Sequence, residues 1–268
     1  MAAPVRLPAT VDPNRPSLAR IYDLLRGGSH NFAVDRAVAA RAVELMPQIP
    51  EIMAADRAFQ HRSVRYATER GVRQFLELGS GIPSAGSVHE VARAVCPGAR
   101  VCYVDLDPTA VLHARELLRD DPDTVAVQGD IQLPESFLGD AGLRSVLDFS
   151  EPVCIQLISV LQFMPDSPAL AVALRRYHDL AAPGSLLVIS HVTASAFMEQ
   201  IDRVVDLLSR TGTPLVLRDE EQVTALFEGW SPIEPGIVAG NRWHPGAKAP
   251  ADADAAPSVM LAGMAVRT

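Results

Sequence analysis

From residue 17 onward, the apolar positions read first as helices and then as strands alternating with helices. Leu18, Ile21, Tyr22 and Leu25 share one helix face; Ser17 stands where a cap would, and Gly27-Gly28 stop the run. A polar loop, Ser29-His30-Asn31-Phe32, leads into a second helix over Asp35–Met46, with Val34, Val38, Ala42 and Leu45 as its stripe. A third helix covers Glu51–Arg70 and ends at Gly71. Gln74–Leu78 is then a short apolar run ending in glycine, the pattern of a buried strand. Helical spacing returns at Val88, Val91, Ala92 and Val95, and a second apolar strand closes on Asp105.

The alternation continues. Asp107-Pro108 is a cap and first-turn pair opening a helix to about Arg119. Thr124–Gln128 reads as a third strand, ended by Gly129-Asp130, and Val153–Ile158 as a fourth. Pro168–Leu180 is helical, Ser185–Ser190 a fifth strand, and 194–210 a further helix. Asp219–Phe227 is a shorter helix, with Asp219 and Gln222 spaced as a capping box. Trp230–Val238 and Ser258–Val266 read as two late strands paired antiparallel, joined by a surface loop over His244–Pro257 rich in Ala, Pro and Asp. Such alternation gives an α/β fold: a parallel sheet with helices on both faces, ligands binding beyond the carboxyl ends of the strands. The expected organisation is a proline-rich mobile tail over 1–16, an N-terminal helical cap over 17–71, and a nucleotide-binding domain over 72–268 forming one globular unit with the cap.

The first strand and its sequel carry the chemistry. FLELGSGIP at 75–83 and VCYVDLDP at 101–108 form strand, glycine turn, helix and strand ending in an acid. Gly79 and Gly81 allow a tight turn that a ligand can approach closely. Asp105 stands where ribose hydroxyls are bound in nucleoside-binding βαβ units. A dinucleotide loop asks for a third glycine, where Ser84 stands here after Pro83. Glu77, two residues before Gly79, suits a cationic ligand better than a pyrophosphate. S-adenosylmethionine (SAM) carries an ammonium and a sulfonium and no phosphate, so the loop reads as a SAM loop, with a nicotinamide cofactor as the alternative.

Composition narrows the partners. The 268 residues are 48% hydrophobic, enough for a large core, and the formal charge of −8 argues against a nucleic-acid partner. Three cysteines without a C-x-x-C pair suggest reduced thiols and a cytoplasmic setting. No apolar run approaches the ~20 residues that span a bilayer, and no His, Cys, Asp or Glu set has metal-ligand spacing.

The chain resembles class I SAM-dependent methyltransferases, and within them an actinobacterial S-adenosyl methyltransferase family in which many members have no known acceptor. The likeness rests on PSLARIYDLLRGGSHNFAVDR, RQFLELGSGIPSAGSVHEVA, VCYVDLDPTAVLHAR, PGSLLVISH, FEGWSPIEPGIV and the terminal AGMAVR. It implies a Rossmann-like sheet of seven strands, mostly parallel, the last antiparallel and inserted between the fifth and sixth. Three positions depart from the family's habit: Asp56 and Ser87 stand where Asn is usual, and Gln162 where His often follows Leu161.

By fold position, Glu77, Gly79 and Ser80 hold the amino-acid end of SAM, and Gly81 passes the adenosine. Asp105 with Leu106 takes the ribose, and Asp130 with Ile131 the adenine. Ser159 and Phe163 border the methyl group. Tyr22, Asn31 and Phe32 are expected near the methionine end, as part of a lid. His191, just after the fifth strand, is the candidate general base; the other reading is a hydrogen-bonded loop histidine. The function implied is methyl transfer to a small molecule, in secondary metabolism. Standing beside it are a SAM-binding regulatory protein without turnover, an NAD-dependent oxidoreductase, and a SAM enzyme that moves the aminocarboxypropyl group. The sequence does not set the oligomeric state.

Overall fold

Strand β1 (Gln74–Leu78) is buried at every position because it lies mid-sheet with a core on each face. Phe75 packs into one core, Leu76 and Leu78 into the other. The same holds for β4 (Val153–Ile158), which is why both strands read as near-continuous apolar runs. The computed structural model describes residues 12–193, 197–244 and 259–268. The expectations of a mobile 1–16 tail, of a helix beginning at 194 and of a loop over His244–Pro257 fall largely outside these residues.

The first three helices are α1 (Leu18–Leu25), α2 (Ala33–Leu45) and α3 (Ile49–Glu69). After β1 come α4 (Val88–Val95), β2 (Arg100–Asp105), α5 (Pro108–Leu117) and β3 (Thr124–Gln128). A short helix α6 (Ala141–Val146) precedes β4; α7 (Pro168–Leu180), β5 (Leu186–Val192), α8 (Met198–Ser209) and α9 (Glu220–Ala225) follow. The chain ends with β6 (Ser231–Pro232), β7 (Val238–Ala239) and β8 (Met260–Val266). The sheet order is β3-β2-β1-β4-β5-β8-β6. The first five strands in sequence pair in parallel, and β8 runs antiparallel between β5 and β6.

Two expectations change. Trp230–Val238 is not one strand: β6 and β7 pair separately with β8. Pro232 and Pro235 have no N–H to give a ladder, and Gly236 turns the chain at φ +86°. Helix α6 has no counterpart in the apolar pattern; six residues are too few to show a period, and its start is set by Asp140 Oδ1 accepting from Gly142 and Leu143.

Helix α3 packs along the sheet against β4, β5 and β8 and against α4, so the cap is built into one face of the sheet. Helices α1, α2 and α8 enclose a third, smaller apolar cluster around Met46, Ile201, Val204 and Met260. Among the described residues, no helix is long and apolar enough to cross a membrane.

Candidate functional site

At the end of β1, the chain turns sharply. Gly79 and Ser80 N–H groups both donate to Val104 O of β2, at 2.8 and 3.1 Å. Gly79 (φ +74°) and Gly81 (φ +63°) lie in the left-handed region. A Cβ on Gly79 would stand 2.3 Å from Val160 Cγ2, so no side chain fits; at Gly81 nothing lies within 4 Å of that point. Asp105, ending β2, ties the turn down: Oδ2 accepts from Gly81 N at 2.7 Å and Oδ1 from Asp107 N at 2.8 Å. Burial raises its carboxyl to about 6, against the pull of those N–H groups.

Glu77 is buried and held by Gln60 of α3, whose Nε2 donates to Glu77 Oε1 at 2.7 Å. Burial raises its pKa; Arg57, Gln60 and Arg26 act the other way. Asp130, after β3, caps the following turn by accepting from Gln132 N at 2.9 Å. Ile131 is buried, its carbonyl accepting from Tyr177 Oη. Ser159, after β4, has φ +51°, unusual for a residue with a side chain; its N–H is held by Ser190 and its hydroxyl donates to Asp56 Oδ2 at 2.8 Å.

These strand ends open on one cavity of about 650 Å³. Glu77, Gly79, Ser80 and Gly81 line it from β1, Asp105 and Leu106 from β2, Asp130 and Ile131 from β3, Ser159 and Phe163 from β4, and Tyr22 from α1. Helix α1 also lines this cavity. It is moored by Arg20 Nε on Asp35 Oδ2 (2.7 Å) and by the Ser17 hydroxyl on Asp107. Ser17 therefore does not cap its own helix as expected; its hydroxyl spans to α5 instead.

Three expected residues lie elsewhere. Asn31 and Phe32 do not line the cavity: Asn31 binds Gly28 O and Arg36, and the Phe32 ring sits under the Arg20 guanidinium. The loop after α1 turns away because Asp23 accepts His30 N and Asp35 accepts Phe32 N. His191 lies within β5, paired with Leu261, not in a loop. Arg218 can only donate, so His191 Nε2 accepts from it at 2.6 Å and Nδ1–H donates to Val192 O at 2.6 Å. Burial, with the Arg218 cation, lowers the imidazole to about 4. Both nitrogens are committed and the ring is outside the cavity, so His191 has no free lone pair for a general base.

Two residues outside the expected site set belong here. Arg26, the residue that ends α1, lines the cavity four residues after Tyr22, its guanidinium 5.9 Å from the Tyr22 ring, and its buried Nε has no hydrogen-bond partner. That i, i+4 relation was the available signal. Asp56 lies on the buried face of α3 with Met53, Gln60 and Ser63, and its Oδ1 is buried without a partner. Among the described residues, no group of His, Cys, Asp and Glu could hold a metal ion.

Comparison with known proteins agrees with the fold. A methyltransferase candidate from Thermobifida fusca YX is 34% identical, with a TM-score of 0.89 over 98% of this chain and 99% of that one. A DUF574-family protein from Streptomyces avermitilis MA-4680 is 32% identical, with a TM-score of 0.88 over 96% of this chain and 99% of that one. The pyocyanin biosynthetic protein PhzM, 18% identical, shares the fold at a TM-score of 0.52 over 92% of this chain and 66% of its own length. No curated protein matches the chain significantly in sequence. The sequence profile described as S-adenosyl methyltransferase matches residues 5–268, and the chain belongs to that family of SAM-dependent methyltransferases.

Proposed function

We propose that this enzyme transfers the methyl group of SAM to a small molecule held between the strand ends and α1. The observation that carries the reading is the placement of α1: held to Asp35 and Asp107, it lines the same cavity as the strand ends, so an acceptor meets the cofactor in a pocket and not on an open sheet edge. The acidic balance of −8 adds no attraction for nucleic acid. The likeness to an actinobacterial family supports a role in secondary metabolism, and the free Cys96, Cys102 and Cys154 support a cytoplasmic setting.

The residues present suit SAM. Glu77 and the unpartnered Arg26 Nε border one cavity, which supplies an acid for an ammonium and a cation for a carboxylate. Asp105 offers a carboxylate to ribose hydroxyls, and Asp130 with Ile131 an acceptor and an apolar wall to adenine. The open space over Gly81 leaves room for a nucleoside that any side chain would fill. Tyr22 and Phe163, edge-on at 6.1 Å, set aromatic surface beside Ser159; aromatic faces favour a sulfonium. When bound, SAM supplies a methyl group already activated by positive sulfur. The protein's part is to orient the acceptor and exclude water, which can supply most of the rate.

The test is to incubate the protein with SAM and a fractionated actinobacterial extract, following S-adenosylhomocysteine by mass spectrometry. The dialysable fraction is expected to drive its formation. Formation with the retained macromolecules alone would overturn the small-molecule reading, and methylthioadenosine as the product would identify aminocarboxypropyl transfer instead.

A further inference from the structure

A second cavity, of about 120 Å³, adjoins the first behind Tyr22, Ser159 and Phe163, which border both. Its walls are apolar and come from the cap and from α8: Ile21 and Leu25 of α1, Ala42 of α2, Met53 of α3, with Ile201 and Val204 of α8. A comparable apolar cavity of about 150 Å³ takes benzene, so this space suits one ring or a short alkyl group. The polar groups on this wall gather at one end, where Asp56, Ser159, Gln162 and the Tyr22 hydroxyl meet. All four are engaged with one another or with the backbone: Ser159 donates to Asp56 Oδ2, and Gln162 donates to Tyr22 Oη while accepting from Val192 N. Asp56 Oδ1 is the atom left over. Asp56 is 4% exposed, and Oδ1 is buried without a partner. An unpaired buried carboxylate oxygen is costly unless something donates to it.

We infer that this chamber is the acceptor site, that it takes an uncharged molecule presenting one ring or short chain with a hydroxyl, and that Asp56 Oδ1 receives the hydroxyl proton. The inference rests on the methyl-transfer reading above. The acceptor oxygen bonds to the methyl carbon, the carbon–sulfur bond breaks with its electron pair returning to sulfur, and the proton passes to Oδ1. The products are the methyl ether, S-adenosylhomocysteine and a protonated Asp56, which loses its proton to solvent after release. Burial raises the Asp56 pKa; Ser190, Arg26, Ser159 and Arg57 oppose that rise, and the Tyr22 phenol, itself pushed up to about 12, faces it from α1. A carboxylate brought nearer neutrality is better matched to accepting a proton.

Phenol is the probe, benzene the apolar control and benzoate the charged one. Each is titrated by ligand-observed NMR onto protein saturated with S-adenosylhomocysteine. The full chain is expected to bind phenol about tenfold or more above benzene, the worth of a hydrogen bond to a charged group, and benzoate more weakly than either. Asp56→Ala should bring phenol and benzene within about twofold of each other, a change in ratio that a structural role would not produce. Ala42→Leu or Val204→Phe, each filling the chamber from a different helix, should remove phenol binding while S-adenosylhomocysteine affinity persists; retained nucleoside affinity also shows that the variant is folded. Phenol failing to bind a protein that holds S-adenosylhomocysteine would overturn the inference and leave the cofactor reading intact, as would an unchanged phenol-to-benzene ratio in Asp56→Ala. Failure to bind S-adenosylhomocysteine at all would overturn both.

Discussion

Asp105→Asn is the most informative single change at the cofactor cleft. The wild-type carboxylate accepts from two backbone N–H groups, Gly81 at 2.7 Å and Asp107 at 2.8 Å, on different oxygens. Asparagine keeps the shape but has one oxygen, so one of those N–H groups must face an amide nitrogen. A bond to a charged acceptor is worth about 1.5–3 kcal/mol, so S-adenosylhomocysteine should bind roughly 10- to 100-fold more weakly. The pH dependence separates this from general damage. In the ligand-free protein, burial raises Asp105 from 3.8 to about 6. Ribose hydroxyls donate to the ionised form, so binding must expel any proton held there. Affinity in the wild type should therefore fall as pH drops through about 6, by up to roughly tenfold per unit for one proton. The Asn variant should lose that limb, keeping only the dependence contributed by Glu77, which burial also raises. Calorimetry across about pH 5 to about pH 8 reads both quantities. Wild-type affinity flat over that range, with the Asn variant within twofold of it, would refute the assignment of Asp105 to the ribose.

Other changes test neighbouring contacts. Arg26→Met should weaken S-adenosylhomocysteine binding by about tenfold or more with only a small change in melting temperature, since Nε has no hydrogen-bond partner in the free protein and the guanidinium's remaining contact is with the Tyr22 ring. Gly79→Ala places a Cβ 2.3 Å from Val160 Cγ2 at a positive φ. It should cost roughly 1–2 kcal/mol for the backbone and 1–3 for overpacking, and Val160→Ala in the same chain should restore only the packing part of the melting temperature. His191→Gln should leave the pH profile of turnover unchanged. Its imidazole, held at about 4 in the folded state against 6.5 as the ordinary value, contributes stability above the ordinary value that is lost as pH falls towards the lower one. The variant's melting temperature should therefore decline less than the wild type's on acidification through that window, and an equal decline would show that the ring is not kept neutral.

The sheet was legible because its central strands are buried on both faces. β1, β3, β4 and helix α7 begin and end where the apolar runs do. The cofactor-facing residues were legible because the fold places ligands at strand ends, so finding the end of a strand finds the residue. His191 misled for the same reason. The apolar run stops at Ser190, but the ladder with β8 continues to Val192, and the partner that claims the imidazole, Arg218, lies 27 residues on. No local pattern announces such a pairing. The Gly27-Gly28 hinge and the polar and aromatic groups after it point Asn31 and Phe32 to the cavity, whereas the carboxylates of Asp23 and Asp35 decide where that loop goes.

The cap illustrates how far local reading reaches. As three helices ahead of the first strand, residues 17–71 looked like an attachment. Yet Gln60 of α3 holds Glu77 across 17 residues, Asp56 of α3 holds Ser159 across 103, and Gln162 reaches Tyr22 of α1 across 140. Each bond joins a polar residue on an otherwise buried helix face to a residue at a strand end. A buried polar side chain is tolerated only where something satisfies it. Asp56, Gln60 and Ser63 interrupting the stripe of Met53, Phe59, Val64 and Ala67 were thus a readable sign that α3 faces something polar. What the sequence could not supply was the partner, because long-range pairing is fixed by the sheet order. Once that order brings β4 beside β1, α3 lies against the strand ends. The cap and the sheet then share one polar layer, with the cofactor cleft on one side of Ser159 and the apolar chamber on the other. A substitution in α3 that disturbs this layer should therefore act on both ligands at once, and one confined to α2 or α8 on the acceptor alone.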